Sequence, residues 1–309
     1  MSLLAFVKPN GPSGFGYGST AEDVTSGLSL QGKTILVTGC NSGLGFETLR
    51  VLALRGARMI GTGRTAEKAQ TACRQVAGSA TGLACELSDP ASVRACVAAV
   101  KALGVKLDAI ICNAGIMALP KLEQVGGCEK QFFTNHIGHF ILVAGLLDSL
   151  ATDGRVVMLS SGAHTAAPPG GIEFDNLSGE RGYKPWAAYG QSKFANLLFA
   201  KELARRFAGS ARTANAVHPG VIFDTNLPRN LDIPRPVLRA MVGFGNALVL
   251  KSIPQGGATQ CYVAASPAAA GISGKYWVDS NVAAPRADAE DARSAKRLWE
   301  VSEQIAALV

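Results

Sequence analysis

From Lys33 to His218 the chain alternates short apolar runs with amphipathic stretches: KTILVT then 43–56, ARMIGTG then 65–77, GLACEL then 90–103, LDAIIC then 123–150, GRVVMLS then 187–208, and TANAVH. Apolar runs of four to eight residues bounded by glycine read as buried strands, and stretches with a period near 3.6 read as helices. The alternation predicts an α/β fold, a doubly wound parallel sheet (a Rossmann fold) covered by helices on both faces. Ligands of such sheets sit beyond the carboxyl ends of the strands where strand order reverses, so the residues just after each strand are the first candidates for a site. After His218 the regularity fades through NLPRNLDIPRPVLRAMVGFGNALVL, then resumes with a helix near 254–266, a strand KYWV and a closing helix near 288–307.

No linker or internal repeat divides the chain. Residues 1–30 read as an N-terminal arm, rich in Gly, Ser and Pro up to Thr20, ending in a short helix capped by Ser19 or Thr20. Residues 31–309 read as one domain with a C-terminal lid region at about 222–252 over the substrate. With 48% hydrophobic and 17% charged residues, disorder, collagen and coiled coil are excluded. A net charge of +7 without a run of like charges gives no case for nucleic acid; it suits an anionic small molecule as well as it suits an ordinary soluble surface. Seven scattered cysteines with no C-x-x-C pair predict neither a disulfide framework nor zinc. The opening MSLLAFVKPN is too short for a signal core, and no apolar run reaches the length of a transmembrane segment. The expected location is cytoplasmic.

KTILVT runs directly into Gly39-Cys40-Asn41-Ser42-Gly43-Leu44-Gly45 and a helix. Glycine at such a turn permits positive φ, close approach of a pyrophosphate to the backbone, and tight packing of helix on strand. The helix N-terminus then offers N–H groups and a positive dipole end to the phosphates. Tyr189 and Lys193, four apart in a helical segment, share a face. An ammonium beside a phenol lowers the phenol's pKa toward the range useful for general acid–base catalysis.

TGCNSGLG, Asn113-Ala114-Gly115 after the fourth strand, and Tyr189-Gly190-Gln191-Ser192-Lys193 occur in order and together resemble the short-chain dehydrogenase/reductase family over residues 20–308. TNHIGHF, LSSGAH, VHPG and SGKYWV are similar to the branch that holds the retinol dehydrogenase-like proteins and the WW-domain-containing oxidoreductase. The resemblance implies a nicotinamide cofactor held by Gly39, Asn41, Ser42, Gly43, Leu44 and Gly45. It adds Glu86 and Leu87 at the adenine and Asn113, Ala114 and Gly115 along the cofactor. Tyr189 and Lys193 are placed at the ribose, and Pro219 and Gly220 at the carboxamide, with Val221 or Ile222 and with Thr225, one position later than the common spacing. The acid after the third strand is Glu where the family more often has Asp.

The second strand ends in Gly63-Arg64-Thr65, without the Asp or Glu that would hydrogen-bond the ribose hydroxyls of NAD. Arg64 instead offers a guanidinium to a 2′-phosphate, with weaker help from Lys68, so the expected cofactor is NADP(H). The catalytic set implied by the resemblance is Asn135, Ser161, Tyr189 and Lys193, with Ser160 the competing serine and Asn135 holding a water in a proton relay. Tyr189 serves as acid or base in hydride transfer between NADP(H) and a carbonyl or alcohol. No metal is expected: His136, His139, His164 and His218 lack ligand spacing, and Cys40 reads as a small buried side chain.

The substrate loops are 116–124, 162–186 and 222–252. Ile116, Met117, Phe223, Val237, Leu238, Met241 and Phe244 suggest a hydrophobic ketone, aldehyde or alcohol, and serve equally as packing residues of the lid. The rival readings are a catalytically silent NADP(H)-binding sensor or scaffold and a tetrapyrrole reductase. A homo-oligomer pairing through 123–150 and 187–208 is open, since loops in this branch can cover that face.

Overall fold

The computed structural model describes residues 3–222 and 250–309. Two short helices, α1 (Leu3–Val7) and α2 (Ala21–Val24), lead into β1 (Thr34–Thr38). The alternation continues with α3 (Gly43–Leu54), β2 (Arg58–Gly63), α4 (Ala66–Cys73), β3 (Ala80–Ala84), α5 (Pro90–Ala102) and β4 (Leu107–Cys112). A hairpin, β5 (Gln124–Val125) and β6 (Cys128–Glu129), precedes α6 (Lys130–Phe132), a π-helical turn at Phe133–Ile137 and α7 (Gly138–Leu146). Then come β7 (Leu150–Leu159), α8 (Pro185–Arg206), β8 (Thr213–His218), α9 (Ile253–Ala265), β9 (Tyr276–Val278), β10 (Asn281–Ala283) and α10 (Ala292–Leu308).

Eight strands form one sheet in the order β10-β9-β8-β7-β4-β1-β2-β3, parallel throughout except that β10 runs antiparallel to β9. The chain enters at β1, winds outward to β3, then crosses back to β4 on the other side of β1. Strand order therefore reverses between β1 and β4, and the glycine loop and Asn113 both emerge there. All five residues of β1 are buried, as a central parallel strand covered on both faces requires.

One core packs Phe132, Phe140, Leu198, Phe199 and Trp299 against the sheet; the other packs Leu49, Leu52, Tyr262 and Trp277. Trp299 of α10 stacks on Phe199 at 5.5 Å and meets Phe140 edge-on at 5.0 Å, so α10 covers part of α7 and α8.

The single helix expected over 123–150 is not what forms. Gly126 and Gly127 take φ of 55° and 74° and turn the chain into a hairpin, so the helix starts only at Lys130, and the next strand has already begun at Leu150. The arm holds a short helix, Leu3–Val7, that glycine and proline content masked. Thr20, not Ser19, caps α2: its Oγ1 accepts from Asp23 N–H while the Asp23 carboxylate accepts from Thr20 N–H, a reciprocal capping box. The closing helix starts at Ala292 under an Asp291 cap.

Candidate active site

Gly39 and Gly43 hold φ of 70° and 56°, a region costly for other residues. A Cβ on Gly45 would lie 2.1 Å from the Gly39 carbonyl oxygen, so only glycine lets α3 approach β1 this closely. Across the sheet, Thr38 Oγ1 accepts from the N–H groups of Asn113 and Ala114 at 2.9 and 3.0 Å. Asn113 Nδ2 donates to the Thr38 carbonyl at 2.8 Å. These bonds lock the ends of β1 and β4 together beneath a long cavity of about 690 Å³.

One end of the cavity is lined by the glycine loop from Gly39 to Gly45, by exposed Arg64 at the end of β2, and by Glu86, Leu87 and Ser88 after β3. Glu86 turns its carboxylate onto its own loop, where Oε1 accepts from Ser88 N–H at 3.1 Å and Ser88 Oγ at 2.9 Å. Asn113, Ala114 and Gly115 line the middle, and Pro219, Gly220, Val221 and Ile222 the far end. Thr225, like Phe223, Val237, Leu238, Met241 and Phe244, lies outside the described residues. Glycines that clear a path at a helix N-terminus are the donor set a dinucleotide pyrophosphate needs, and the residues present fit a nicotinamide dinucleotide.

At the middle of the cavity stand Tyr189 and Lys193, one turn apart on α8, with Ser160 and Ser161 at the end of β7. Ser161 lines the cavity beside Tyr189, near enough to pull the phenol's pKa down, and its Oγ accepts from Ala163 N–H at 3.1 Å. Ser160 points elsewhere: buried, it donates to the Lys193 carbonyl at 2.8 Å. Lys193 Nζ donates to the Leu159 carbonyl at 3.1 Å and lies 5.7 Å from the Tyr189 ring centroid. The phenol is not drawn down as the lysine's charge alone would have it. Burial dominates both groups, pushing Tyr189 up to about 12 against the smaller downward pull of Ser161, and bringing Lys193 down to about 8.

Asn135 sits in the middle of the π-turn, where the helix is locally opened. Its side chain pairs with the backbone of Ile116 in both directions, accepting at 2.8 Å and donating at 2.9 Å, and donates to Ser192 Oγ. Its carbonyl accepts from His139, whose other ring nitrogen meets Thr38 Oγ1 at 2.9 Å. Because Thr38 Oγ1 already accepts twice, its proton goes to His139 Nε2, which leaves the imidazole proton on Nδ1. Among the described residues no group of three His, Cys, Asp or Glu side chains is placed to hold a metal.

Short-chain dehydrogenases as a family match residues 33–234 of this chain. The chain belongs to the short-chain dehydrogenase/reductases. It is 42% identical over 306 residues to the short-chain dehydrogenase TIC 32 B, chloroplastic, of Brassica napus, covering 94% of each chain. It is 37% identical over 285 residues to retinol dehydrogenase 12 of Mus musculus, covering 90% of this chain and 87% of that one. A crystal structure of an uncharacterized protein from Mycobacterium paratuberculosis superposes with a TM-score of 0.74 at 35% identity, covering 92% of this chain and 97% of that one. The Pseudomonas aeruginosa RhlG/NADP active-site complex does so at 0.64 and 25%, covering 81% and 95%. The dehydrogenase/reductase fold thus carries an oxidoreductase related to the retinol dehydrogenases. Among its described residues no helix is long and apolar enough to cross a membrane.

Two further cavity residues have contacts that the sequence did not give them. Trp186, half exposed on the cavity wall in the first turn of α8, meets Tyr189 edge-on at 6.2 Å. His218, at the end of β8, accepts from Gly162 N–H at 3.0 Å and so ties the loop after Ser161 to the Pro219 loop. Only the adjacency of β7 and β8 makes that bond possible.

Proposed function

We propose that the protein is an NADP(H)-dependent oxidoreductase that transfers hydride between the cofactor and a hydrophobic ketone, aldehyde or alcohol. The observation that carries this reading is that Ser161, Tyr189 and Lys193, the last two one turn apart on α8, line the same cavity as the glycine loop and Arg64. Gly39–Gly45 receive the pyrophosphate, Arg64 the 2′-phosphate, Glu86 and Leu87 the adenine, and Pro219–Ile222 the carboxamide. When bound, NADPH supplies the hydride.

Tyr189, protonated at neutral pH by virtue of its burial, gives its proton to the alkoxide that forms on the substrate carbon. Ser161 holds that oxygen by a hydrogen bond that strengthens as charge develops. Lys193, drawn by burial toward neutral pH, orients the ribose and returns a proton to Tyr189. Asn135 holds Ile116, and with it the loop from Asn113 to Met117, against the substrate space. In the oxidising direction the tyrosinate takes the proton. Met117, Leu119, Ala163, Trp186 and Ile222 on the wall favour an apolar substrate.

Fluorescence titration of the purified protein with NADPH and NADH, followed by a panel of hydrophobic aldehydes and ketones, tests the reading. Tight NADPH binding with turnover supports it. Tight binding without turnover across the panel favours a silent sensor, and a preference for NADH rejects the role given to Arg64.

A further inference from the structure

Beside the Pro219–Ile222 loop lies a buried cluster of charge that the mechanism above does not use. Lys251 is fully buried, and its Nζ stands 2.7 Å from Asp279 Oδ1. Asp279 lies in the turn between β9 and β10 and, with Ser280, is held at positive φ, 53° and 62°. Its second oxygen takes Lys8 Nζ of the N-terminal arm at 2.5 Å. The ring of Tyr17 lies 4.8 Å from Lys251 Nζ and 5.3 Å from Lys8 Nζ. The same lysine touches the loop. A Cβ on Gly220, at φ +93°, would come within 2.6 Å of Lys251 Cδ, and Lys251 N–H donates to the Val221 carbonyl at 3.0 Å.

We propose that the Lys251–Asp279 ion pair, closed over by Lys8 and Tyr17, positions the Pro219–Ile222 loop against the nicotinamide end of the cofactor. The inference rests on the NADP(H) reading of the site. A buried ion pair adds little net stability compared with apolar packing, yet it constrains strongly, because the fully buried Lys251 ammonium displaced from Asp279 loses its partner. Lys251 therefore has one position. Its stem then fills the space that only glycine leaves at residue 220, and its backbone fixes residue 221. Lys8, Tyr17, Lys251 and Asp279 are positioning residues: they reach the cofactor only through the loop.

The test compares two ligands on the full chain. NADPH occupies the whole cavity, whereas adenosine 2′,5′-bisphosphate occupies only the end near Arg64 and the glycine loop. Lys251→Met keeps the stem and removes the charge. It is expected to weaken NADPH about tenfold, in line with the cost of a small misplacement, and to leave adenosine 2′,5′-bisphosphate unchanged within about twofold. Should that variant not fold, Asp279→Asn, whose side chain tolerates positive φ, and Lys8→Met, at the exposed edge, are measured in its place and carry the same expectation. Equal losses for both ligands, or no loss for either, overturn the proposal. Wild-type protein that prefers NADH overturns the cofactor choice alone, and the comparison is then made with NADH and ADP-ribose. Wild-type protein that binds none of these overturns both.

Discussion

Ser160 donates its hydroxyl to the main-chain carbonyl of Lys193 at 2.8 Å, so the end of β7 is tied to α8 through the residue whose side chain supplies the ammonium of the site. Ser160 is thereby engaged, while Ser161, next in the chain, lines the cavity with Tyr189. Ser160→Ala is expected to lower stability by about 1–2 kcal/mol, the cost of a lost buried hydrogen bond, with NADPH binding kept. Ser161→Ala is expected to leave the melting temperature near wild type and to lower kcat about 100-fold. Melting curves and steady-state kinetics on the two variants check this, and the reverse pattern would exchange the two roles.

Tyr189→Phe keeps the ring that packs on Met117 and removes the proton donor. Carbonyl reduction is expected to fall by about 100- to 10,000-fold, the range for a general acid, while NADPH titrates as in wild type. Retained turnover would defeat the proposed mechanism.

Arg64 lines the cavity beside the glycine loop and Glu86. Arg64→Asp replaces a clamp for the 2′-phosphate with a group that repels it and accepts from ribose hydroxyls. The NADPH-to-NADH affinity ratio is expected to drop at least about tenfold, which is about 1.4 kcal/mol. Equilibrium titration of both cofactors reads the ratio directly; an unchanged ratio would take Arg64 out of the site.

Burial holds His136 down to about 3, and His139 and His218 to about 4, against 6.5 for a free imidazole. Below pH 6.5 the unfolded chain takes up protons that the folded chain refuses. The stability these groups contribute is therefore complete above pH 6.5 and is lost as pH falls through about 4. The melting temperature is expected to decline across that window, with a shallower decline in His139→Gln. A flat profile, or an unaltered slope in the variant, would count against neutral buried imidazoles.

The sheet, the glycine loop and the Tyr189–Lys193 pair were legible from the chain alone because each rests on neighbours in sequence: burial on both faces of a parallel strand, positive φ at Gly39 and Gly43, and four-residue spacing on α8. The hairpin at 124–129 was not, since its apolar neighbours suit a helix and Gly126-Gly127 decides the turn only where β5 and β6 can pair. The resemblance chose Ser161 over Ser160, and the tertiary structure shows what Ser160 does instead: its hydroxyl is taken up by the Lys193 carbonyl. Lys251 and Asp279 stand 28 positions apart in the chain, and only the tertiary structure brings them together in the core. Local periodicity and glycine placement thus determined the architecture and the place of the candidate site. The partners of the buried polar groups were left to tertiary structure, because those partners come from strands that are neighbours in the sheet and distant in the chain.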